Sequence, residues 1–342
     1  MERIPEGGFH RISVLRLSSL GDVVLTLPVV EALRAAYPEA EIVFWVKEEF
    51  ADAVRFHPAI SRVRCLERDA SRLEDLVSMS AELEDHDLIL DLHGSLRTRV
   101  LGFRQKALTL RTPSARLARE RWVRARWSRP APLTSVWKRY GEVIERIGLS
   151  ILGPPRVHAG EEARMWAEER WRSLDLPVDT VALAPGAAWA TKRWPERHWC
   201  ALEAELAASG NGRLVVSTAA EKRAMPELAA QVERSAGATW VTEPLARAIA
   251  LLSHCRRAVT HDSGLMHIAA ACGVPVVALF GGTHPGLGFA PAGEGHTVLC
   301  REESCQPCAL HGHGACPLGH HRCMVGIEPI QVTTALRESM PR

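Results

Sequence analysis

The chain lacks any uncharged apolar run near the ~20 residues needed to cross a bilayer. The opening stretch Met1-Glu2-Arg3-Ile4-Pro5-Glu6 has no apolar signal core, so the protein is expected to remain cytoplasmic. There is no low-complexity tract, and 342 residues at 46% hydrophobic suffice for two globular domains with full cores. Neither a G-x-G-x-x-G run nor a P-loop occurs, which argues against a classical dinucleotide oxidoreductase and against an ATPase. Acidic residues are almost missing between Arg97 and Arg139, where thirteen Lys and Arg meet only Glu120, although the whole chain carries just +2. Trp122, Trp127 and Trp137 lie in that segment. Arg mixed with Trp suits an anionic membrane surface, and a solvated basic loop or a nucleic-acid patch fits the same composition. The apolar residues of 117–129 share no clean helical face, so the segment reads as a basic surface and not as an amphipathic anchor.

Strand-like and helix-like stretches alternate along what remains. In the first half the strand signals are Arg11–Leu17, Glu41–Lys47, Arg62–Leu66, Asp87–His93 and Ala107–Arg111, with a helix expected over Ser135–Ile147. In the second half they are Val181–Ala184, Arg213–Ser217, Ala238–Val241, Arg257–Thr260 and Val276–Phe280. Helices are expected near Arg197–Ala208, Leu245–Cys255 and Leu265–Cys272, with a lone helical tail from Gln331 to Ser339. Alternation of this kind implies parallel sheets covered on both faces. The run from Gly148 to Pro155 reads as a boundary, giving domains of 1–153 and 154–330 and a tail of 331–342.

Two turns carry the chemistry. Asp262-Ser263-Gly264-Leu265-Met266-His267 follows an apolar run and opens a small-residue run. A helix beginning there offers unpaired N–H groups and the positive end of its dipole to a phosphate, although an Asp or Ser N-cap on an ordinary helix fits the same hexad. Ser18-Ser19-Leu20-Gly21-Asp22 repeats the arrangement after the first strand, and Pro28 should bend or open the helix behind it. Asp22 sits where open α/β sheets bind ligands; it can accept a substrate proton, or it can serve as an N-cap. The stretch 185–195 joins a Gly turn to two cations, Lys192 and Arg193, and two indoles, Trp189 and Trp194; Lys192 would supply a mobile charge for a phosphate or a sugar hydroxyl, and a basic surface loop with Trp194 as a packing anchor fits the same residues. Glu221 follows a later strand, where an acid can accept ribose hydroxyls or simply begin a helix.

Nine cysteines in a cytosolic chain point to thiols or metal ligands rather than disulfides. Cys305, Cys308, Cys316 and Cys323 fall within nineteen positions, in a Cys-rich loop of 300–323 that also holds His311, His313, His320 and His321. A tetrahedral zinc knot, free thiols, a redox pair or an iron–sulfur centre all fit that pattern. Cys65, Cys200, Cys255 and Cys272 sit in apolar runs and read as core.

In this order the pieces resemble glycosyltransferase family 9, the ADP-heptose:lipopolysaccharide heptosyltransferases. The resemblance rests on Leu17–Val23 with Leu27-Pro28, Asp91-Leu92-His93-Gly94, Pro185-Gly186-Ala187 with Lys192–Pro195, and Asp262–His267. The stretch holding Cys308, Cys316-Pro317-Leu318-Gly319-His320 and Cys323 also matches many members. It implies a GT-B architecture: two facing Rossmann-like domains with parallel sheets and an interdomain cleft, performing an inverting transfer without a catalytic metal. Asp22 would be the general base. Lys192 and the helix start at Ser263-Gly264-Leu265 would hold the pyrophosphate, Asp262 would lie beside the sugar hydroxyls, and Glu221 would accept from the ribose. Thr191 and His267 would complete the donor site, and Ser19, Gly21, His93 and Arg97 would meet the acceptor. The partners implied are an ADP-sugar and an anionic lipid A-core glycolipid at the cytoplasmic face of the inner membrane, with no nucleic acid. The chain departs from the pattern at Ala187 and Ala188, where some members have hydroxyl residues, and at His93, where the family has a glutamine-like position. Within the family, another nucleotide-sugar donor or another acceptor glycan fits the same motifs; from other classes, a zinc-bearing nucleic-acid binder would need neither Asp22 nor Asp262, and a nicotinamide enzyme would need the missing glycine fingerprint.

Overall fold

The computed structural model describes all residues except 1, 3, 67–72, 104, 126, 127, 129 and 339–342. Trp127 and Ser339 therefore lie outside the described residues. The chain divides into two units: Met1–Ala115 with Val136–Gly160, and Arg116–Ser135 with Glu161–Arg342. The expected break at 148–155 lies within the first unit, and the middle of the basic segment, expected in the first domain, clusters with the second. The reason is Trp122. It is buried, its ring lies 4.8 Å from that of His284, and a Cβ on Gly286 would come within 2.7 Å of it.

In chain order the first unit contains β1 (Arg11–Leu15), α1 (Leu20–Leu25), α2 (Leu27–Ala36), β2 (Glu41–Lys47), β3 (Arg62–Leu66), α3 (Leu73–Ser80), β4 (Leu88–Asp91), α4 (Leu96–Leu101) and β5 (Leu108–Arg111). Helix α5 (Arg116–Arg124) belongs to the second unit and α6 (Val136–Glu145) to the first. The second unit continues with α7 (Glu161–Leu174), β6 (Thr180–Ala184), α8 (Glu196–Ala208), β7 (Gly212–Val216), α9 (Ala219–Arg223), α10 (Pro226–Arg234), β8 (Ala238–Val241), α11 (Leu245–Leu252), β9 (Arg257–His261) and α12 (Gly264–Ala271). It closes with β10 (Val276–Phe280), β11 (Thr297–Cys300), α13 (Arg322–Val325) and α14 (Pro329–Glu338). As expected, the helix containing Pro28 is broken: Thr26 separates α1 from α2, and the proline sits in the first turn of the second piece, where its missing N–H costs nothing.

Both sheets are wholly parallel, in the orders β3-β2-β1-β4-β5 and β11-β10-β9-β6-β7-β8. Their central strands are buried along nearly their whole length, as helix-covered parallel strands must be. Strand order reverses between β1 and β4 in one sheet and between β6 and β9 in the other, and ligands bind at such switch points beyond the strand ends. Register brings the neighbours to a common end, with Leu15 opposite Asp91 and Ala184 opposite Thr260. The Asp22 turn and the His93-Gly94 turn therefore flank one switch point, while the Lys192 segment and the Asp262 turn flank the other. Of the four cysteines read as core, Cys255 is buried and Cys65, Cys200 and Cys272 are half-buried.

Candidate active site

The first turn is organised around Asp22. Ser19, not Asp22, takes the N-cap position of α1, and Asp22 stands in the first turn of the helix, so the N-cap reading of Asp22 does not hold. The Ser19 hydroxyl donates to Asp22 Oδ2 at 2.9 Å instead of capping the backbone. The Arg16 guanidinium meets the same oxygen at 2.9 Å, and the Tyr140 hydroxyl donates to Oδ1 at 3.1 Å. Arg16 is itself fixed, donating to Leu92 O at 2.7 Å and lying 5.5 Å from the centre of the Tyr140 ring. The Asp22 carboxylate is thus oriented through both oxygens while its side chain keeps 18% exposure.

His93 lies in the same neighbourhood. Burial, reinforced by the Arg16 charge, pushes its imidazole down to about 4, so it is neutral near pH 7. Its turn is built by Asp91, whose Oδ1 accepts from the backbone N–H groups of His93 at 3.2 Å and Gly94 at 2.8 Å. Gly94 adopts φ +67°, a left-handed conformation that favours glycine. Of the other acceptor candidates, Gly21 is buried in α1, and Arg97 is exposed on α4. The structure thus brings Ser19, Asp22 and His93 together and adds Arg16 and Tyr140, neither of which the sequence singled out. The only sequence signal was Arg16, a charge inside an apolar strand-like run.

The second turn is organised around Asp262. Ser263 is the N-cap of α12, but its hydroxyl makes no capping bond and is buried without a hydrogen-bond partner. Asp262 precedes the helix; its Oδ2 meets Lys192 Nζ at 2.7 Å and accepts from Thr283 Oγ1 at 2.6 Å. Lys192 also donates to Asp262 O at 3.2 Å. Gly264 and Leu265 form the first turn of the eight-residue α12, and His267 is buried on it. His261, at the end of β9, is held down to about 3 by complete burial and is neutral. It accepts from Trp194 N at 2.9 Å through Nε2, which leaves Nδ1–H to donate to Gly186 O at 3.3 Å. Trp194 is a core residue whose indole donates to Ile327 O at 2.8 Å.

Glu221 closes a capping box on α9, accepting from Thr218 N and Thr218 Oγ1 at 2.9 Å each. Gly186 lies against the same carboxylate, which a Cβ at that position would strike. Glu221 therefore serves as a helix-start acid and also reaches the loop that follows β6. The Thr191 hydroxyl accepts from His313 N at 2.8 Å and faces His313 O at 3.3 Å, so it ties down the Cys-rich loop.

That loop brings its four clustered thiols together. Cys305, Cys308, Cys316 and Cys323 line one cavity of about 140 Å³ with His320, His321, Thr191, Gly281 and Gly282. Burial and the neighbouring cysteines push the Cys323 thiol up to about 12. Among the described residues, however, no group of three or more His, Cys, Asp or Glu is arranged to hold a metal ion. The described thiols make local contacts instead: Cys308 with Gly282 O at 3.4 Å, Cys316 with His321 N at 3.4 Å, and Cys305 with His320 Nε2 at 3.9 Å.

Known proteins resemble this chain in sequence and in fold. The chain is 29% identical over 318 residues to lipopolysaccharide heptosyltransferase 1 of Pseudomonas aeruginosa, covering 87% of this chain and 86% of that one. It superposes on a family 9 glycosyl transferase from Veillonella parvula with a TM-score of 0.79 and 22% identity, covering 96% and 97% of the two chains. It superposes on the E. coli heptosyltransferase WaaC, solved with ADP, with a TM-score of 0.67 and 22% identity, covering 96% and 100%. These structural likenesses agree in fold with the two parallel-sheet α/β units. Residues 78–315 match the family described as glycosyltransferase family 9 (heptosyltransferase), and the chain belongs to that family of glycosyltransferases.

Proposed function

We propose that the protein transfers a heptose from ADP-L-glycero-D-manno-heptose to the inner core of lipopolysaccharide, with inversion at the anomeric carbon and Asp22 as general base. The observation that carries the reading is the Asp22 carboxylate oriented by Arg16, Ser19 and Tyr140 at a sheet switch point. The relative in P. aeruginosa is named a lipopolysaccharide heptosyltransferase, and the E. coli neighbour was solved with ADP, which supports the same donor and acceptor classes here.

In the reaction an acceptor hydroxyl forms a bond to the anomeric carbon as the bond from that carbon to the β-phosphate oxygen breaks. The electron pair of the broken bond leaves with ADP, and the hydroxyl proton passes to Asp22. The hydroxyl becomes acidic as its oxygen bonds to carbon, so a carboxylate is a sufficient acceptor. Charge grows on the departing diphosphate. Lys192 spends two donors on Asp262 and keeps a third for that phosphate, and the first N–H groups of α12 act in the same sense. Backbone N–H groups, rather than the occupied Thr191 hydroxyl, make the remaining phosphate contacts. Glu221 accepts from the ribose, and its fixed orientation in the capping box preorganises that contact.

The acceptor is an anionic glycolipid at the cytoplasmic face of the inner membrane. The exposed Arg116, Arg121 and Arg124 of α5, within the basic segment, suit anionic headgroups. No helix among the described residues is long and apolar enough to cross a membrane. A structural zinc on Cys305, Cys308, Cys316 and Cys323 is supported by the convergence of the four thiols on one cavity and opposed by their present spacing. Elemental analysis of the purified protein decides it: one zinc per chain establishes the site, and none leaves four free thiols.

The test of the function is ADP release on mixing the protein with ADP-heptose and a heptose-deficient core glycolipid. Acceptor-dependent release is expected. ADP binding without release would point to another sugar or acceptor, and absence of both would overturn the donor site.

A further inference from the structure

We infer that Thr283 and Gln306 are positioning residues of the donor site, and that the Cys-rich loop is the clamp through which they act. The inference rests on the donor-site reading above and extends it to residues that touch neither sugar nor nucleotide.

Asp262 Oδ2 takes two donors at nearly equal distance, Lys192 Nζ at 2.7 Å and Thr283 Oγ1 at 2.6 Å. Thr283 is 2% exposed, so no water competes for its hydroxyl. Its bond to Oδ2 determines which direction of the carboxylate remains for the ammonium, and hence where the ammonium points. The hydroxyl is only as well placed as the turn that carries it, Gly281-Gly282-Thr283 beyond β10, which has no regular structure of its own.

That turn is held from two sides. Its three successive carbonyls accept from the Cys-rich loop: Gly281 O from Gln306 Nε2 at 2.6 Å, Gly282 O from Cys308 N at 3.0 Å, and Thr283 O from Gln306 Nε2 at 2.8 Å. A primary amide has two hydrogens, so buried Gln306 gives one to each outer carbonyl and spans the turn like a staple. On the other side Gly282 N donates to Thr191 O at 2.8 Å. A Cβ on Gly282 would sit 2.7 Å from Thr191 Cβ, so the backbone approach requires glycine. Thr191 is in turn tied to His313 of the same Cys-rich loop and immediately precedes Lys192. The loop therefore fixes both partners of Asp262 Oδ2, the hydroxyl through Gln306 and the ammonium through Thr191.

The decisive variant is Thr283→Val, which keeps shape and burial but removes the donor. Without the hydroxyl, the Asp262 carboxylate loses the donor that fixes its direction, and it carries the paired ammonium away from the phosphate. The expected result is a rise of about tenfold in the ADP dissociation constant and in the donor KM, with a fall in kcat beside it because the same ammonium meets the charge that grows on the departing diphosphate. Thr283→Ser, which restores the donor, should return both to near wild type. Gln306→Glu, which loses both N–H donors and sets a carboxylate against two carbonyls, should shift donor KM in the same direction as Thr283→Val. A purely structural role would lower the melting temperature of Thr283→Val and Thr283→Ser alike and leave donor KM unmoved, which would overturn the inference. So would unchanged ADP affinity in Thr283→Val when Lys192→Ala weakens it. If the wild-type protein binds no ADP, the donor reading falls, and this inference falls with it.

Discussion

The turns after β1 and β9 look alike in sequence, and the contrast between them shows how one local design is put to two uses. Each leaves a parallel strand at a sheet switch point, each starts a helix at a serine that makes no capping bond, and each has a histidine held neutral by burial close by. The acids differ in place and company. Asp22 stands inside the first helical turn, faces one guanidinium and two hydroxyls, and keeps 18% side-chain exposure. Asp262 stands before its helix, is 9% exposed, and is neutralised at 2.7 Å by Lys192. A carboxylate held by orienting donors yet reachable from solvent suits proton acceptance. One locked in a half-buried ion pair suits the aiming of a cation, since breaking such a pair strands a charge.

The sharpest way to break this comparison is Asp22→Asn. The amide preserves size and most of the hydrogen-bond geometry but cannot take a proton, so kcat should drop by about a hundred- to ten-thousandfold. ADP affinity by calorimetry should stay within about twofold of wild type, because the nucleotide is assigned to the other unit. Equal loss of both would erase the division of labour. The next largest effect is expected from Lys192→Ala, which removes the phosphate cation and leaves Asp262 without its charge partner. The ADP dissociation constant should rise by about ten- to a hundredfold, as for loss of a charged hydrogen bond, and unchanged affinity would remove Lys192 from the site.

How much of this was legible in the sequence depends on the range of the interaction. Strands buried on both faces leave continuous apolar runs, and Glu41–Lys47 and Val276–Phe280 have the expected ends, as do the half-buried Arg62–Leu66 and Ala238–Val241. The edge strand β11 escaped, because Thr297–Cys300 is half-buried along its length and its short run follows a glycine-rich stretch. Helix α7 escaped for the opposite reason: only Ala163 and Ala167 are buried in fourteen residues, so it shows no apolar stripe. The site acids were legible because turn chemistry is local. Their partners were not: Tyr140 lies 118 positions from Asp22 and Thr283 lies 21 from Asp262, and only the folded sheets bring them together. The tie between the Thr191 hydroxyl and His313, 122 positions away, was hidden for the same reason. The basic segment was read correctly as charged, but its attachment to the second unit depends on Trp122 meeting His284 and Gly286, a contact that charge patterning does not encode.

The smallest of the expected effects is also the one that most refines the contrast. Tyr140 reaches Asp22 Oδ1 at 3.1 Å from α6, whereas Arg16 and Ser19 both meet Oδ2. If the first turn exists to orient a proton acceptor, removing the Tyr140 donor from Oδ1 should loosen the carboxylate without discharging it. Tyr140→Phe keeps the ring beside the Arg16 guanidinium, 5.5 Å from its centre, so the packing that fixes Arg16 survives. The expected outcome is a decrease in kcat of about two- to tenfold, the cost of one neutral donor, with ADP affinity unchanged. The matching change in the second turn, Thr283→Val, should instead weaken donor binding. Different kinetic signatures from two single-hydroxyl deletions would establish that the turns differ in task and not merely in sequence. A loss of donor affinity in Tyr140→Phe would mean that the acid it touches also serves the nucleotide.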